Sequence, residues 1–403
     1  MRVSTNQIQD VAINSILDQQ SKLSNTQRQI STGERITRPS DDPVGAARII
    51  DLRESLDTTK QYQDNIQEAR ARLTIEEGVL DGIGDTLQRV RELAIQANNG
   101  SQTAETRDFI SREIEQLLEQ LLGMANARDN NNEFLFAGSI TAIKPFSRRP
   151  DGSYAYQGDD GQRMLQVGPE RQIPVGDSGT DVFRAIRNGN GIFTIQDNPG
   201  NRGSGIIDPG TEAGTFIPGV YTITFAHDPL DDSITYQVTD ATGAVLIPAG
   251  TPYASGDAII FNGVQTAIEG EPADGDSFVI APAVNQDIFT TIQDYIVALR
   301  GLEGDAPGNI KMANATNRLL PALDLAMGRV LEVRANAGAR LNALDAQSEI
   351  NASAILKFEE ILSDIQDLDY AEAVSRLNLE LTGLDAAQKA FVRVQNLSLF
   401  NHL

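Results

Sequence analysis

Long stripes of apolar residues at both ends of this 403-residue chain constrain its fold more than any other feature. Apolar residues recur there at alternating spacings of three and four, which is typical of helices that pack lengthwise. A second stripe covers 110–124, and a third runs from 319 to 365. We expect these helices to pack against each other, although Glu76 interrupts the clearest stripe. The residues of that stripe are Ile66, Ala69, Leu73, Leu80, Ile83, Leu87, Val90, Ala94 and Ala97.

The middle of the chain, from about residue 134 to 282, has the composition of β structure. Short alternating runs, YTITF (221–225), SITYQVT (233–239) and AIIFNGVQTAI (258–268), are separated by glycine-bearing turns. No Lys or Arg occurs between Arg202 and Arg300, whereas Asp and Glu recur throughout. We therefore predict an acidic, all-β domain that is inserted into a discontinuous helical domain.

The segment at 29–47, QISTGERITRPSDDPVGAA, joins two predicted helices. Gly33 is typical of the C-terminal end of a helix, and Pro43 suits the first turn of the next one. Ser40 or Asp41 can cap that second helix by accepting hydrogen bonds from its free amides. We interpret the acidic residues as helix caps and not as acid–base machinery. The predicted hinge consists of Gly33, Pro39, Ser40, Asp41, Asp42 and Pro43.

Composition excludes several kinds of partner and chemistry. A net charge of −23 argues against nucleic acid and against an anionic membrane surface as partners. The chain has no run of about 18 apolar residues, and its opening lacks the apolar core of a secretory signal, so we expect neither a membrane span nor a cleaved signal peptide. Cys is absent, and His227 and His402 lack companions for catalysis or zinc binding. We expect no catalytic, cofactor-binding or metal-binding residues, and no enzyme.

The extreme ends carry weaker apolar stripes than the rest of the helical segments. Gln20 and Gln27 occupy seam positions near the N-terminus, and Gln388 does so near the C-terminus. A buried leucine contributes roughly 1.5–3 kcal/mol, and isolated short helices are marginal in water. We therefore expect both ends to be poorly ordered until they meet a partner. The alternative is a plain intramolecular coiled coil of the two ends.

Both ends resemble signatures of one family, the flagellins and flagellar hook-associated proteins. The segment at 29–47 looks like the N-terminal signature, and DLDYAEAVSRLNLELTGLDAAQKAFVRVQNLSLFNHL, from Asp367 onward, looks like the C-terminal one. Three features are more similar to the hook–filament junction protein than to filament flagellins. These are the opening MRVSTNQI, the ending SLFNHL, and a region similar to a β-hairpin, NNEFLFAGSITAIKPF (131–146) with GSYAYQGDDGQRMLQV (152–167).

The patterns and the resemblance together predict a mixed, multidomain fold. Its main part is a long antiparallel α-helical coiled-coil rod, formed by both chain ends, with a β-hairpin and an inserted all-β outer domain. Residues 1–40 with 366–403 would form a terminal helical domain that is disordered in the monomer. Residues 41–175 with 286–365 would form the rod with its hairpin, and residues 176–285 would form the inserted β domain.

The resemblance implies a structural subunit that joins the flagellar hook to the filament. Such a subunit is exported without a cleaved signal peptide, through the flagellum's own type III apparatus, and is extracellular. The partners it implies are copies of the same chain, hook-associated protein 1, flagellin, and an export chaperone at the C-terminal helix. The assembly residues it implies are Ile13, Ile16, Leu23, Ile30, Leu377, Leu381, Leu384, Phe391, Leu397 and Leu399.

Two other functions stay open at this point. One is a filament-forming flagellin, which would have nearly the same ends. The other is a non-flagellar, acidic secreted protein that binds calcium or a ligand through the β insert. Asp228, Asp231 and Asp232 are the candidate calcium residues, but they lack the regular alternation of an EF-hand loop.

Overall fold

In the described part of the chain three α-helices precede the β-strands and three follow them, and the apolar stripes predict all of these except the first helix after the strands. The structure, a computed structural model, describes residues 5–228, 233–301 and 306–396. No helix among these residues is long and apolar enough to cross a membrane. The predicted fold class, helical chain ends around a β-rich middle, is confirmed. The helices are α1 (Thr5–Thr32), α2 (Pro43–Ala97), α3 (Ala104–Ala125), α4 (Ile288–Arg300), α5 (Ala306–Gln366) and α6 (Tyr370–Asn396).

The strands pair only antiparallel with one another in the described part of the chain. The first four form two hairpins, and a π-helical turn, Thr180–Arg184, follows them. The strands are β1 (Phe146–Arg148), β2 (Tyr154–Tyr156), β3 (Met164–Gly168), β4 (Arg171–Pro174), β5 (Ile186–Arg187), β6 (Phe193–Asp197), β7 (Ile206–Ile207), β8 (Thr211–Glu212), β9 (Tyr221–His227), β10 (Ile234–Asp240), β11 (Val245–Pro252), β12 (Ala258–Phe261), β13 (Val264–Glu269), β14 (Ser277–Pro282) and β15 (Asn285–Gln286).

The chain divides into two compact units. The first comprises Met1–Asn65 with Ala346–Leu403, and the second comprises Ile66–Asp345. Both divisions fall inside a helix, so α2 and α5 each contribute residues to both units. The division into three domains stays a prediction.

The helical core of the second unit is built from the predicted stripes. The stripe residues of α2 between Leu80 and Ala97 are buried together with apolar residues of α3 and α5. Helix α4 also contributes to this core, through Phe289 and Ile292. Sequence analysis missed α4, although its buried residues follow the same spacing of three and four.

The two larger sheets of the second unit share one apolar core. The larger sheet has the strand order β11–β10–β9–β14–β6, and the smaller contains β12, β13 and β7, with β8 pairing β13. The run at 258–268 is a hairpin and not a single strand. Its two-residue turn, Asn262 and Gly263, has φ values of +42° and +81°, which suit a tight hairpin turn.

Two asparagines of α5 hold the smaller sheet by bonding its backbone. The Oδ1 atom of Asn314 accepts from the Ile207 N–H at 2.9 Å, and its Nδ2 donates to the carbonyl of Gly205 at 3.2 Å. Asn317 donates to the carbonyl of Ile207 at 2.8 Å. These amides satisfy backbone groups of β7 that would otherwise be buried without a partner. The β insert is therefore fixed to α5 by specific hydrogen bonds as well as by apolar contact.

Candidate assembly site at the paired chain ends

Helix α1 ends where the sequence predicts, at a glycine in the left-handed conformation. Gly33 has a φ of +75°, and its N–H donates to the carbonyl of Gln29 at 2.8 Å. Glycine adopts this conformation without the strain that a Cβ causes. A Cβ at this position would also lie 2.9 Å from the hydroxyl oxygen of Tyr370. Backbone conformation and available space both require a glycine here.

A tight turn follows α1 and uses the predicted hinge residues. The Asp41 N–H donates to the carbonyl of Arg38 at 3.0 Å, and Pro39 and Ser40 lie between them. Proline at the second position of such a turn has its φ already set. The Oδ2 atom of Asp41 accepts from the Arg38 N–H at 2.9 Å and from the Thr37 hydroxyl at 3.1 Å. Asp41 therefore stabilises the turn itself.

The N-cap of α2 is Asp42. Its Oδ1 atom accepts from the Gly45 N–H at 2.9 Å. The expectation that Ser40 or Asp41 caps this helix was therefore wrong. The reason is that Pro43 occupies the first helical position, so the residue directly before it is the cap.

A second break separates α5 from α6 at 367–369. Asp369 caps α6, since its Oδ1 atom accepts from the N–H groups of Ala371 (2.9 Å) and Glu372 (3.1 Å). We refer to the two breaks, 33–42 and 367–369, together with Gln366 at the end of α5, as the terminal joint.

The two breaks are hydrogen-bonded to each other. Glu34 and Asp367 form an antiparallel β-bridge. The Arg35 N–H donates to the carbonyl of Gln366 at 2.7 Å, and the Leu368 N–H donates to the carbonyl of Gly33 at 2.9 Å. Backbone groups that each helix end leaves free therefore find partners on the opposite end of the chain.

Side chains reinforce this bridge. The Arg35 guanidinium donates to the carbonyl of Ile365 at 2.8 Å, which satisfies one of the last carbonyls of α5. Arg53 donates to Oε1 of Gln366 at 2.9 Å, and the amide of Gln366 donates to Glu34. Polar side chains therefore also connect the two breaks by hydrogen bonds.

A small apolar centre lies within the terminal joint. Ile36 and Leu368 are both buried. A Cβ on Gly45 would lie 2.6 Å from Cδ1 of Ile36, so the glycine leaves room for that side chain. Sequence analysis missed these residues and Asp369. Asp369, directly before the first residue of α6, was a usable capping signal. Nothing in the local sequence marks Ile36 as a buried residue.

Helix α1 packs along α6. A Cβ at Gly383 would lie 2.5 Å from Nε2 of Gln19, so the two helices approach closely there. The predicted residues differ in exposure: Leu23 is buried, whereas Ile13 and Leu381 are exposed. Leu397 and Leu399 lie outside the described residues. The half-buried predicted residues are Ile16, Ile30, Leu377, Leu384 and Phe391.

The core of this helix pair is thin. Among the side chains described on α1 and α6, the buried apolar ones are Leu23 and Ala373, and Thr26 and Gln29 are buried polar residues. Full burial of one leucine supplies only about 1.5–3 kcal/mol. The pair therefore has little apolar burial of its own with which to offset the entropy of ordering two long helices.

A row of exposed apolar side chains lies on α6, and we call it the α6 stripe. Tyr370, Val374, Leu381 and Val392 follow helical spacing and are 54%, 46%, 45% and 54% exposed. Ile13 and Leu17 form a smaller exposed pair on α1. Exposed apolar side chains that share one helix face favour burial against a partner. The described part of α6 therefore presents an apolar face to water.

The described residues contain no group of three or more His, Asp or Glu side chains placed to hold a metal ion. The Nε2 atom of His227 lies 3.0 Å from the carbonyl oxygen of Pro272. Two of the candidate calcium residues, Asp231 and Asp232, lie outside the described part of the chain, as does His402. The calcium-binding alternative therefore gains no support from the described residues.

We predict that Gly33→Ala weakens the terminal joint. The left-handed φ costs a Cβ about 1–2 kcal/mol, and Tyr370 must also move. Hydrogen exchange of the α1 and α6 amides should therefore accelerate about five- to thirtyfold. Exchange rates of the variant and the wild type are compared in the same state. That state is either the isolated chain or the assembled protein, whichever protects the α1 amides of the wild type. Gly338→Ala, inside α5 with open space around it, is the matched control and should leave α1 unchanged. Equal exchange in all three proteins would contradict the role of Gly33.

Comparisons with known proteins agree with this geometry. The family model for the bacterial flagellin N-terminal helical region matches residues 3–141. The chain is 25% identical to flagellar hook-associated protein 3 of Escherichia coli, over 99% of both chains.

Two solved structures from Legionella pneumophila are similar in sequence and in fold. The hook-associated protein 3 structure is 33% identical with a TM-score of 0.74, covering 78% of this chain and 98% of that one. The structure of the flagellar junction protein FlgL is 34% identical with a TM-score of 0.70, covering 74% and 99%. The resemblance drawn from the two terminal signatures is thereby confirmed, and the chain belongs to the flagellar hook-associated protein 3 family, within the flagellin-like proteins.

Proposed function

We propose that this chain is a structural subunit of the bacterial flagellum that joins the hook to the filament. Its similarity to hook-associated protein 3 extends over the whole chain, and one of its solved relatives is a flagellar junction protein. The observation that carries the mechanism is the α6 stripe, an exposed apolar face on one of the two paired terminal helices. The role is mechanical, and burial of helix faces between subunits provides the attachment.

The α6 stripe would be buried against neighbouring subunits. Burying apolar side chains that are about half exposed in the single chain removes apolar surface from water, which favours association. The partners we propose are copies of this chain, hook-associated protein 1 on the hook side and flagellin on the filament side. Contacts made by α1 through Ile13 and Leu17 would add to the same interface.

Both terminal helices would gain most of their order on assembly. The thin α1–α6 core supports this proposal, because most of the apolar surface that could stabilise the pair is exposed in the single chain. Chain ends that stay weakly folded can be threaded through a narrow export channel. An export chaperone would cover the α6 region before export, and the chain would leave the cell without a cleaved signal peptide.

A filament-forming flagellin is the rival function, and the location of the protein separates the two. We predict that immunogold label against this chain is confined to the boundary between hook and filament. A strain that lacks the gene, labelled in parallel, controls for antibody specificity. Label along the whole filament would contradict the junction role and favour the flagellin alternative.

We predict that Leu381→Asp prevents firm attachment of filaments. Its side chain is exposed on the α6 stripe, so the new charge should leave the α1–α6 pair intact and disrupt only the contact with neighbouring subunits. Filaments per cell, counted by electron microscopy, should fall several-fold while the amount of exported protein is unchanged. Ser375→Asp adds the same charge at an exposed polar position of α6 that is turned away from the stripe, and it should assemble normally. Wild-type attachment with Leu381→Asp would contradict the stripe as an interface.

A further inference from the structure

One carboxyl of the second unit is fully buried within the helical stripe of α2. Glu76, which interrupts that stripe in the sequence, has no exposed surface. Its Oε1 atom accepts from the backbone N–H of Asp177 at 3.0 Å, and its Oε2 atom has no hydrogen-bond partner. A charged oxygen buried without a partner is costly, whereas a neutral carboxyl is much less so.

The contact joins α2 to the segment that follows β4. We call residues 175–178 the Asp177 segment. Val175 and Ser178 within it are buried, and Val175 packs in a cluster with Leu73 of α2 and Leu344 of α5. The hydrogen bond from Asp177 to Glu76 therefore adds a specific polar interaction to the apolar packing between α2 and the Asp177 segment.

The cations near Glu76 already have carboxylate partners. Arg340 of α5 donates to Oδ2 of Asp177 at 2.5 Å. Arg72, one helical turn before Glu76, donates to Asp129 and to the carbonyl of Phe134. An ionised Glu76 would therefore add an uncompensated negative charge beside Asp177.

Arg72 also has a second carboxylate within reach. Its Nη1 atom lies 3.3 Å from Oε2 of Glu133, which Arg163 bonds as well at 2.8 Å. The groups that face Glu76 are thus Asp177, Arg340 and Arg72, and the two arginines are each paired with an acid. This arrangement favours the neutral form of Glu76.

The pKa of Glu76 follows from this environment. Burial, and then the nearby Asp177 carboxylate, raise the pKa of this carboxyl from 4.5 to about 8. The hydrogen bond from the Asp177 backbone and the charges of Arg340 and Arg72 oppose the rise but do not cancel it.

We propose that Glu76 is a pH-sensitive latch: the Asp177 segment stays docked on α2 while this carboxyl is neutral, and loss of its proton favours release, because the buried charge then regains water and separates from the Asp177 carboxylate. The latch is a property of the folded chain and does not depend on the proposed role in the flagellum.

The direction of the pH dependence follows from linkage. The docked form binds a proton up to about pH 8. If release returns Glu76 to water, its carboxyl loses the proton near the ordinary value of 4.5. The docked form is therefore favoured most below that ordinary value, and the preference is lost as pH rises to about 8. Within this window the equilibrium constant for release should rise about tenfold per pH unit. Above the window both forms are ionised, and the dependence ends.

The test is hydrogen exchange of the 171–180 region in wild type and Glu76→Gln, from pH 5 to pH 9. Glutamine keeps an oxygen for the Asp177 N–H but does not titrate. The ratio of wild-type to variant exchange at the same pH removes the chemical pH dependence of exchange. That ratio should rise about tenfold per pH unit up to pH 8 and then level off. Glu92→Gln, an exposed site on the same helix, should behave as wild type.

A ratio that stays constant between pH 5 and pH 8 would overturn the latch. Asp177→Asn serves as a second variant if Glu76→Gln does not fold. Removing the neighbouring negative charge lowers the pKa of Glu76, so the rise of exchange with pH should be smaller than in wild type. An undiminished rise in Asp177→Asn would also contradict the proposal.

Discussion

Two backbone hydrogen bonds between the chain ends are the constraint on which the first unit depends. They run from Arg35 to Gln366 and from Leu368 to Gly33, and they join two helix breaks that lie more than 330 positions apart in the sequence. Because each break leaves backbone groups without helical partners, pairing the breaks satisfies both at once. The helices that leave the joint, α1 and α6, are consequently adjacent and can pack along each other.

Apolar burial is unevenly distributed: the second unit buries much apolar surface, whereas the α1–α6 pair buries little. The second unit buries stripe residues of α2, α3, α4 and α5 together in its main helical core. The pair α1 and α6 buries little apolar surface and exposes the α6 stripe, so apolar burial within the described chain contributes little to its stability. That contrast suits a subunit whose folded body is ready before assembly and whose ends complete their packing in the assembly.

Local patterns predicted most of the fold, and non-local contacts account for what they missed. Apolar spacing revealed the long helices, and Gly33 marked the end of α1, because both depend on neighbouring residues. Spacing could not reveal the hydrogen bond from Arg35 to Gln366, nor the burial of Ile36 and Leu368, since nothing in their own segments marks these residues. Glu76 looked like an interruption of a stripe, and only the fold shows that the backbone of Asp177 meets it.

The most direct test of the paired joint is a disulfide between its bridged residues in assembled flagella. The chain has no Cys, and Glu34 and Asp367 form a bridge of the kind whose Cα atoms lie about 4.5 Å apart, within the range of a disulfide. The double variant Glu34→Cys/Asp367→Cys should cross-link within one chain on oxidation, as a mobility shift on a non-reducing gel, and should still hold filaments on hooks. Either single variant is the control and should show no shift. Absence of the intramolecular cross-link in assembled protein would contradict the joint on which this account rests.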